Sequence, residues 1–583
     1  MAICIFLNAH KCFCTLGVLP TTCASIDLPM RKSRNSIRYC LGTCGRPTPI
    51  RSSTPRINIS HLLLSNIVKR LDDNVDRICL SLVCKRWYNE RSGYLSFNTD
   101  KINIFNENNK HSIYLNSYKS LLFNSIKQKN NCTLIISDTK LNYDYHLADS
   151  ELMEIDSINT MNVSKIEMTT DYQPSVLKKL YQLISDCNSI RSLKYCCSLD
   201  CVLPVNLTCL SFSDDFDEPL LPGYLPPKLI KLKFGLAFNQ PIGIGLLPST
   251  LETLILGDAY NHPIVVGALP ASLRVLNING VDYEHGFKVG SLPFGLQELC
   301  YSSVKIPIGE DVLPTTLLTL NYAPVLWMKS IQSLTNLKTL SFSDLNHSIN
   351  ESFDLDMLPR SLTNLSVFSV TTLTSSLSTS IKHLTISRAK YNVDEIFKHD
   401  RSQYQFESLT VDALKQESLD GLAIKVLTLN FTHDIKAPIR SIPIGVKELF
   451  IRYNKNAIIT ENAIPSSVQK LTYYPKNSIA ERIIPNTVQE LVVKKTMFQK
   501  ELFPSSLLPD SLQSLSLPTD MRVHIDSEFP KSLSNIRFST KRNIFVRKLD
   551  DNYYLIFGQS SKQFYAAIMS KELYIHKIEQ DIF

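Results

Sequence analysis

The sequence predicts a repeat solenoid of short parallel strands, and three observations lead to that prediction. The segment from Phe238 to Ile278 holds two copies of one pattern: an aromatic residue, Asn, any residue, Pro and Ile, then Leu-Pro. Apolar residues follow three, six and eight positions after Pro248, and again after Pro270. The same spacing recurs along most of the chain. One such unit cannot bury enough apolar surface to fold alone, so we expect stacked copies.

The spacing defines where the solenoid lies. It follows twelve prolines, most of them 20 to 24 residues apart: Pro204, Pro226, Pro248, Pro270, Pro293, Pro314, Pro359, Pro443, Pro465, Pro485, Pro509 and Pro530. The two long intervals hold ladders without proline: Leu334, Leu337 and Leu340, then Ile381 with Leu384, and Ile424 with Leu427 and Leu429. The pattern predicts a leucine-rich type solenoid over residues 201–540, with about 22 residues per coil.

Each coil is expected to contribute one short strand. Leu254 and Leu256 alternate with Thr253, Ile255 and Gly257, which is the period of a strand with one buried face. Successive strands should form a long parallel sheet. A proline lacks an amide donor, so it is expected just before each strand and not within it.

This repeat resembles the FNIP repeat, which is named for a Phe-Asn-x-Pro signature. The signature is present as Phe238 to Pro241 and, with an aromatic exchange, as Tyr260 to Pro263. It decays elsewhere, for example to Phe-Asp-Glu-Pro at residues 216–219. The resemblance implies a leucine-rich-repeat-like fold and carries no catalytic chemistry of its own.

The spacing of apolar residues in 56–97 predicts two short amphipathic helices. Apolar residues recur at helical spacing in two runs: Leu63, Leu64, Ile67, Val68 and Leu71, then Ile78, Cys79, Leu82, Val83 and Trp87. Ser60 can cap the first helix and Asn74 the second.

The end of this helical element, Leu-Val-Cys-Lys-Arg-Trp at residues 82–87, is similar to the close of an F-box. That resemblance implies docking onto a Skp1-type adaptor of a cullin-type ubiquitin ligase, through Leu63, Leu64, Ile67, Leu71, Val83 and Trp87. The family usually opens with Leu-Pro, whereas this chain has Ile59-Ser60. Two alternatives stay open: the apolar residues only pack the helices together, or the whole element caps the solenoid.

The other regions are less regular. Residues 1–55 are expected to be a disordered, basic leader containing cysteines, with a transit segment or a signal peptide as alternatives. Residues 98–200 are expected to be irregular connecting coils, including strands near 133–137 and 164–168 and a helix over 174–187. Residues 541–583 are expected to form a C-terminal cap, with a hairpin around Asp550 and a helix near 562–573.

Composition excludes several classes of function. The formal net charge is +8, but residues 1–56 hold eight Lys or Arg against one Asp, so the rest is close to neutral and nucleic-acid binding is not expected. No apolar run is long enough to span a membrane. The 15 cysteines are irregularly spaced, which favours free thiols in the cytoplasm or nucleus over disulfides or a metal site.

No catalytic or phosphate-binding motif occurs in the sequence, so we expect neither an enzyme nor a cofactor. His262 and His285 hold equivalent positions in adjacent coils, but Gln240 takes that position one coil earlier. The pattern therefore indicates a polar, tolerant loop position.

The surface that remains is the outward side of the strands, five and seven residues after each proline. The candidate recognition residues are Lys231, Lys233, Thr253, Ile255, Asn277, Glu298, Asn321, Glu448, Phe450, Lys470 and Glu490. The leading hypothesis is that this face binds a protein substrate while residues 56–97 bind the adaptor. The alternatives are that the face only keeps the sheet soluble, or that the chain is a repeat scaffold with no link to ubiquitin.

Overall fold

The computed structural model describes most of the chain between residues 59 and 570. The described ranges are 59–72, 74–98, 118, 121, 125, 132–136, 145–147, 163–168, 174–200, 202–278, 283–302, 306–343, 352–368, 372–412, 419–430, 438–439, 441–452, 458–460, 462–473, 483–494, 503–504, 508–517, 523–524, 530–539, 543–550, 552–560 and 563–570. The predicted leader lies outside them. The described residues form two compact units, one drawn from 1–129 and 555–569, the other from 130–554 and 570–583.

The first unit contains the predicted helical element, with three helices where two were predicted, because a turn at residues 82–84 separates Trp87 from the second helix. Its helices are α1 (His61–Lys69), α2 (Asn74–Ser81) and α3 (Lys85–Asn89), followed by a 3-10 turn (Arg91–Gly93). The Ser60 side chain caps α1 as predicted, because it accepts a hydrogen bond from the Leu63 amide at 3.4 Å. Asn74 is the first residue of α2, not its cap. Its carboxamide instead bonds the Asn98 backbone twice, at 2.9 and 2.7 Å.

The strands recur along the rest of the chain. In chain order they are β1 (Cys132–Ile136), β2 (Tyr145–Leu147), β3 (Val163–Glu167), β4 (Ser192–Cys196), β5 (Cys209–Phe212), β6 (Lys231–Lys233), β7 (Thr253–Leu256), β8 (Val275–Ile278), β9 (Glu298–Tyr301), β10 (Thr319–Ala323), β11 (Thr339–Ser343), β12 (Ser352–Asp354), β13 (Asn364–Phe368), β14 (Thr372–Thr374), β15 (His383–Ser387), β16 (Gln405–Asp412), β17 (Ala423–Asn430), β18 (Pro438–Ile439), β19 (Glu448–Arg452), β20 (Ile458–Ile459), β21 (Lys470–Tyr473), β22 (Glu490–Val493), β23 (Phe503–Pro504), β24 (Ser514–Leu517), β25 (Val523–His524), β26 (Asn535–Ser539), β27 (Asn543–Lys548), β28 (Tyr553–Ser560) and β29 (Gln563–Ser570). Further helices are α4 (Pro174–Ser185), α5 (Met328–Gln332) and α6 (Val393–Ile396).

Most of these strands form one parallel sheet in chain order. The pairing runs from β1 to β3, through β4 to β11, and then through β13, β15, β16, β17, β19, β21, β22 and β24 to β26. Short parallel pairs in the return segments join β12 to β14, β18 to β20 and β23 to β25. This is the predicted solenoid, and it already includes β3 and β4 upstream of residue 201.

An inward row of leucines runs through the sheet. Leu232, Leu254, Leu276 and Leu299 lie opposite one another in register, and each is 0% exposed. The row continues, at most 5% exposed, through Leu320, Leu340, Leu365, Leu384, Leu409, Leu427, Leu449, Leu471, Leu491, Leu515 and Ile536. Full burial of such a side chain stabilises the fold by roughly 2 kcal/mol, so stacking supplies what a single coil lacks.

The prolines define a turn before each strand. The Leu251 amide donates to the Pro248 carbonyl at 3.1 Å, and the Leu273 amide to that of Pro270 at 3.0 Å. The same bond forms three residues after each of the other ten ladder prolines. The predicted position of the proline is therefore confirmed, since it starts the turn and leaves the strand amides free for pairing.

The two parts of the Phe-Asn signature have separate structural roles. The rings of Phe238, Tyr260 and Tyr283 stack inside successive coils, with centroids 6.1 and 6.2 Å apart. The Asn239 side-chain oxygen accepts from the Asn261 amide at 2.9 Å, and the Asn261 oxygen accepts from the next coil at 3.0 Å. The signature therefore joins each coil to the next by ring stacking and by a hydrogen bond.

The position of His262 and His285 is less tolerant than the sequence suggested. The His262 ring Nε2 lies 3.0 Å from the Asn239 carbonyl oxygen, and that of His285 lies 3.1 Å from the Asn261 oxygen. Since a carbonyl only accepts, each ring nitrogen is the donor. Gln240 donates to the Asp217 carbonyl at 3.3 Å in the same way. The position thus links neighbouring coils.

The proline-free ladders also form strands. Leu340 lies in β11, Leu384 in β15 and Leu427 in β17, each inward. The sequence reading overlooked β16, in which Phe406 and Leu409 repeat the three-residue step of the ladder. No proline marks the turn of that coil, and two residues at the ladder spacing were too weak a signal by themselves.

The C-terminal region starts as predicted and then differs. β27 pairs antiparallel with β26. The Asp550 side chain accepts from the amides of Asn552 and Tyr553, at 2.8 and 2.9 Å, and so forms the predicted turn. Residues 563–570 form a strand where a helix was predicted. The segment holds one Phe, one Tyr and one Ile, which favour strands, beside two Ala and one Met, so its local preference is mixed.

Candidate functional site

The candidate recognition face is made of two outward rows. In the first, Lys231, Thr253, Val275 and Glu298 lie opposite one another in register. In the second, Lys233 is followed by Ile255, Asn277, Cys300 and Asn321. Further along the sheet, Glu448, Lys470 and Glu490 continue the first row, and Phe450 belongs to the second. The structure places all eleven candidate residues on these rows, while their role in recognition stays a prediction.

Accessibility differs between the rows. Lys231, Lys233 and Glu298 are exposed, and the other eight candidates are half-buried. Ser341, Thr428 and Thr472, which lie in the second row, are less than 9% exposed. The first row is therefore the more accessible one in the C-terminal half of the sheet.

The C-terminal part of the face is balanced in charge. Lys470 lies between Glu448 and Glu490 in register, and its Nζ is 3.2 Å from a Glu490 carboxylate oxygen. On adjacent strands, Lys425 forms an ion pair with Glu407 at 3.0 Å. Opposite charges at facing positions stabilise a sheet modestly and leave little net field for a charged partner.

The centre of the face is polar and not nucleophilic. The Asn321 carboxamide donates to the Cys300 sulfur at 3.6 Å. Burial raises the pKa of the Cys300 thiol, which that hydrogen bond partly offsets, so the reactive thiolate is disfavoured. The Asn277 side-chain oxygen is buried without a hydrogen-bond partner.

Two tyrosines on the strands were missed by the sequence reading. Tyr195 in β4 and Tyr322 in β10 have positive φ angles of 58° and 57°, and each is 44% exposed. The register shifts at both places, and the next residue, Cys196 or Ala323, takes the buried position instead. Such a bulge turns a side chain outward. The signal was present in the sequence, because a small residue occupies the inward position one place late.

The helical element separates buried from exposed apolar residues. Leu64 is 0% and Trp87 7% exposed, so both pack inside the element. Ile67, Leu71 and Val83 are half-buried. Leu63 is 56% exposed, and its neighbour Leu62, which the sequence reading did not single out, is 74% exposed. A partner can reach the two exposed leucines directly.

A polar cluster ties α1 to the end of α3. The His61 ring lies 2.9 Å and the Arg86 guanidinium 3.0 Å from the same Glu90 carboxylate oxygen. The hydrogen bond from His61, helped by Arg86, lowers the pKa of Glu90. Arg86 also donates to the Ile59 carbonyl at 3.0 Å. The start of α1, which carries the exposed leucines, is thereby fixed to the rest of the element.

Neither a candidate metal site nor a membrane-spanning helix occurs in the described ranges. They contain no cluster of three or more His, Cys, Asp or Glu that could hold a metal ion. Their helices are too short or too polar to cross a membrane. Cys196 is buried, and its sulfur lies 3.5 Å from the Tyr181 hydroxyl oxygen.

Comparisons with known proteins address the repeat. Residues 199–237 and 238–281 match the family model of the FNIP Repeat. A crystal structure of CroV588, described as a novel circular LRR protein, is similar with a TM-score of 0.39 and 22% identity, over 65% of this chain and 63% of that chain. This chain thus spans less than two thirds of that protein's length. No curated protein matches. The chain is a repeat protein whose parallel-stranded solenoid, of a kind suited to binding proteins, has the fold class that the sequence predicts.

Proposed function

We propose that the protein is a non-catalytic, substrate-selecting subunit of a cullin-type ubiquitin ligase. The outward strand face binds a protein substrate, and the helical element docks onto a Skp1-type adaptor. Other subunits carry out the ubiquitin transfer. This function belongs to the cytoplasm or the nucleus.

The observation that carries the binding role is the continuity of the outward rows. Inward leucines fix the strands, while the facing outward positions hold Lys, Glu, Thr, Asn and Phe side chains. A solenoid that presents varied side chains along one continuous face offers a large surface for another protein. Mixed polar and apolar composition is also typical of non-obligate protein interfaces.

The adaptor role is supported by Leu62 and Leu63. Both begin α1 and are exposed, although Leu64 and Val68 of the same helix are fully buried. Two adjacent exposed leucines on a helix held by the Glu90 cluster offer a preorganised apolar contact. Together with the F-box resemblance of residues 82–87, they favour docking over a purely internal role.

The alternative is a repeat scaffold without a ubiquitin link, in which the helical element serves only as a cap. The burial of Leu64 and Trp87 favours this reading, because a cap needs an internal core and no external partner. Either way, the strand face is the proposed binding surface.

Calorimetric binding of the full chain to a purified Skp1-type adaptor distinguishes the two. We expect micromolar or tighter binding that Leu63→Asp abolishes, because a carboxylate would be desolvated in an apolar contact. Ile444→Asp is the matched control, since Ile444 is 89% exposed and lies in the solenoid. Thermal unfolding must be unchanged in both variants.

The same experiment can contradict the proposal. Folded wild-type protein that does not bind the adaptor would leave the scaffold alternative. Equal losses in Leu63→Asp and Ile444→Asp would mean that the interaction is not located on α1. Trp87→Ala is unsuitable as a binding probe, because loss of that buried ring is expected to unfold the element.

A further inference from the structure

The N-terminal end of the strand face carries a cluster of positive charge. Lys231 and Lys233 point outward from β6, and both are exposed. Lys165 of β3 belongs to the same row as Lys231, three strands away. That separation is about 14 Å at roughly 4.8 Å per strand. Exposed Arg191 directly precedes β4, and exposed Lys194 lies in the middle of that strand, which is between β3 and β6 in the sheet. These five residues are called the basic cluster.

Carboxylates compensate only part of this charge. Lys194 forms an ion pair with Glu167. The ion pairs found among the described residues include none with Lys165, Lys231 or Lys233. The Arg191 guanidinium donates to two backbone carbonyls and keeps its charge. Three lysines on these outward rows therefore stand outside the ion pairs of the described residues, whereas Lys470 in the C-terminal part of the face is paired with Glu490.

The basic cluster is also limited in extent. Outward positions of β4, β5 and β6 hold no Asp or Glu. Glu167 on β3 and exposed Glu252 beside β7 bound the cluster on either side. A long polyanion would meet these carboxylates and be repelled. A short acidic segment of a few residues fits between them.

Tyr195 supplies an apolar group beside these charges. It follows Lys194 directly, and the bulge in β4 turns its ring outward at a φ of 58°. A bulky residue in that region is strained, and such strain persists where the surrounding structure enforces it, often at functional sites. The ring gives an approaching peptide a surface to pack on.

We propose that the basic cluster and Tyr195 bind an acidic, extended segment of the partner protein, a short run of Asp and Glu that includes an apolar residue. The carboxylates meet Lys165, Lys231 and Lys233, and the apolar residue packs on Tyr195. This inference rests on the proposed function, because it names the partner chemistry for the same strand face. The carboxylates of Glu167 and Glu252 on either side of the cluster favour a short protein segment over a nucleic acid, which would extend past them.

The test is titration of the full chain with a blocked, fluorescent, glutamate-rich peptide containing one leucine, at about 0.15 M salt. We expect binding that Lys231→Glu/Lys233→Glu weakens at least about tenfold. The matched control is Lys338→Glu/Lys447→Glu, at exposed strand-edge positions elsewhere in the sheet. Each Lys→Glu exchange removes one positive charge and adds one negative charge, so each double variant lowers the formal net charge from +8 to +4. The control should bind within about twofold of wild type.

Tyr195→Gly separates recognition from stability. Glycine relieves the positive φ, so the variant should unfold no earlier than wild type and yet bind the peptide several-fold more weakly. Three results would each overturn the inference. The wild-type chain does not bind the peptide, the two double variants lose the same affinity for it, or the chain binds a single-stranded oligonucleotide equally well. Adaptor binding by the same preparation would then show that the proposed function survives without it.

Discussion

The inner and outer sides of the same strands differ in how much variation they contain. At the inward position of the sheet, Leu recurs from coil to coil from Leu210 to Leu515. One residue away, the outward side holds Lys231, Thr253 and Glu298 in equivalent places. Parallel pairing puts identical inward side chains next to one another in the core, whereas most outward side chains are half-buried or exposed.

This difference separates the residues that determine the fold from those proposed for recognition. The inward row, the stacked rings and the turn hydrogen bonds determine the coil and its stacking. The side chains of the outward rows can change without disturbing these contacts, so the proposed recognition residues are free to vary along the sheet. That variation produces a basic end at β3 to β6 and a balanced end at β19 to β22.

The strongest test of coil stacking is Gly257→Ala. A Cβ at Gly257 would lie 1.8 Å from the Gly235 carbonyl oxygen of the preceding coil, so the two backbones would have to separate. We expect the free energy of unfolding to fall by about 3 kcal/mol or more, measured by urea denaturation. Gly243→Ala is the matched control, since its Cβ would meet only a Leu246 side-chain carbon at 3.5 Å. Similar losses in both variants would refute close stacking at Gly257.

The asparagine bond between coils should have a moderate effect. Asn239→Ala removes the oxygen that accepts from the Asn261 amide, and should lower the free energy of unfolding by about 1 kcal/mol. Asn239→Asp keeps an acceptor at that place and should retain most of the stability. If the two variants are equally destabilised, the side-chain oxygen is not what joins these coils.

A substitution at the left-handed turn should increase stability. Asp311, like Gly267 and Gly290, lies three residues before a ladder proline. Its φ angle is 60°, and those of the two glycines are 84° and 82°. Asp311→Gly should therefore raise the free energy of unfolding by about 0.5 kcal/mol, because glycine adopts this conformation without strain. The reverse change, Gly267→Ala, should lower it, and destabilisation by Asp311→Gly would contradict the shared turn.

The outward ion pair should have the smallest effect on stability. Glu490→Gln removes the charge facing Lys470, and both side chains are partly exposed. We expect a change below about 0.5 kcal/mol that diminishes further in high salt. Thermal unfolding at two salt concentrations checks this expectation. A salt-independent fall of more than about 1 kcal/mol in the free energy of unfolding is typical of a buried ion pair, and would mean that this face is not exposed to solvent.

The repeat made most of the solenoid predictable. Proline-marked turns and three-six-eight spacing located the strands, and they also assigned Thr253 outward and Leu254 inward. The hydroxyl residue two places after the proline is a further signal in the sequence, because it bonds to the preceding coil. The Ser272 hydroxyl donates to the Leu251 carbonyl at 2.6 Å, and the Thr250 hydroxyl donates to the Leu229 carbonyl at 2.7 Å.

What escaped prediction depends on contacts between coils. The bulge at Tyr195 depends on which residue fills the inward position beside Phe212, and its one local signal is the small residue Cys196 one place late. The separation of exposed Leu63 from buried Leu64 depends on how α1 packs on the other helices. The segment 563–570 is a strand although its apolar residues recur at helical spacing, so local periodicity alone was misleading there.

The most direct measurement is urea unfolding of Leu254→Ala beside Thr253→Ala, two changes on adjacent residues of β7. The inward leucine is 0% exposed, and its truncation should lower the free energy of unfolding by about 3 kcal/mol. The outward threonine should change it by less than about 0.5 kcal/mol. Equal losses, or a larger loss at Thr253, would contradict the assignment of the two faces, and with it the recognition surface proposed for this protein.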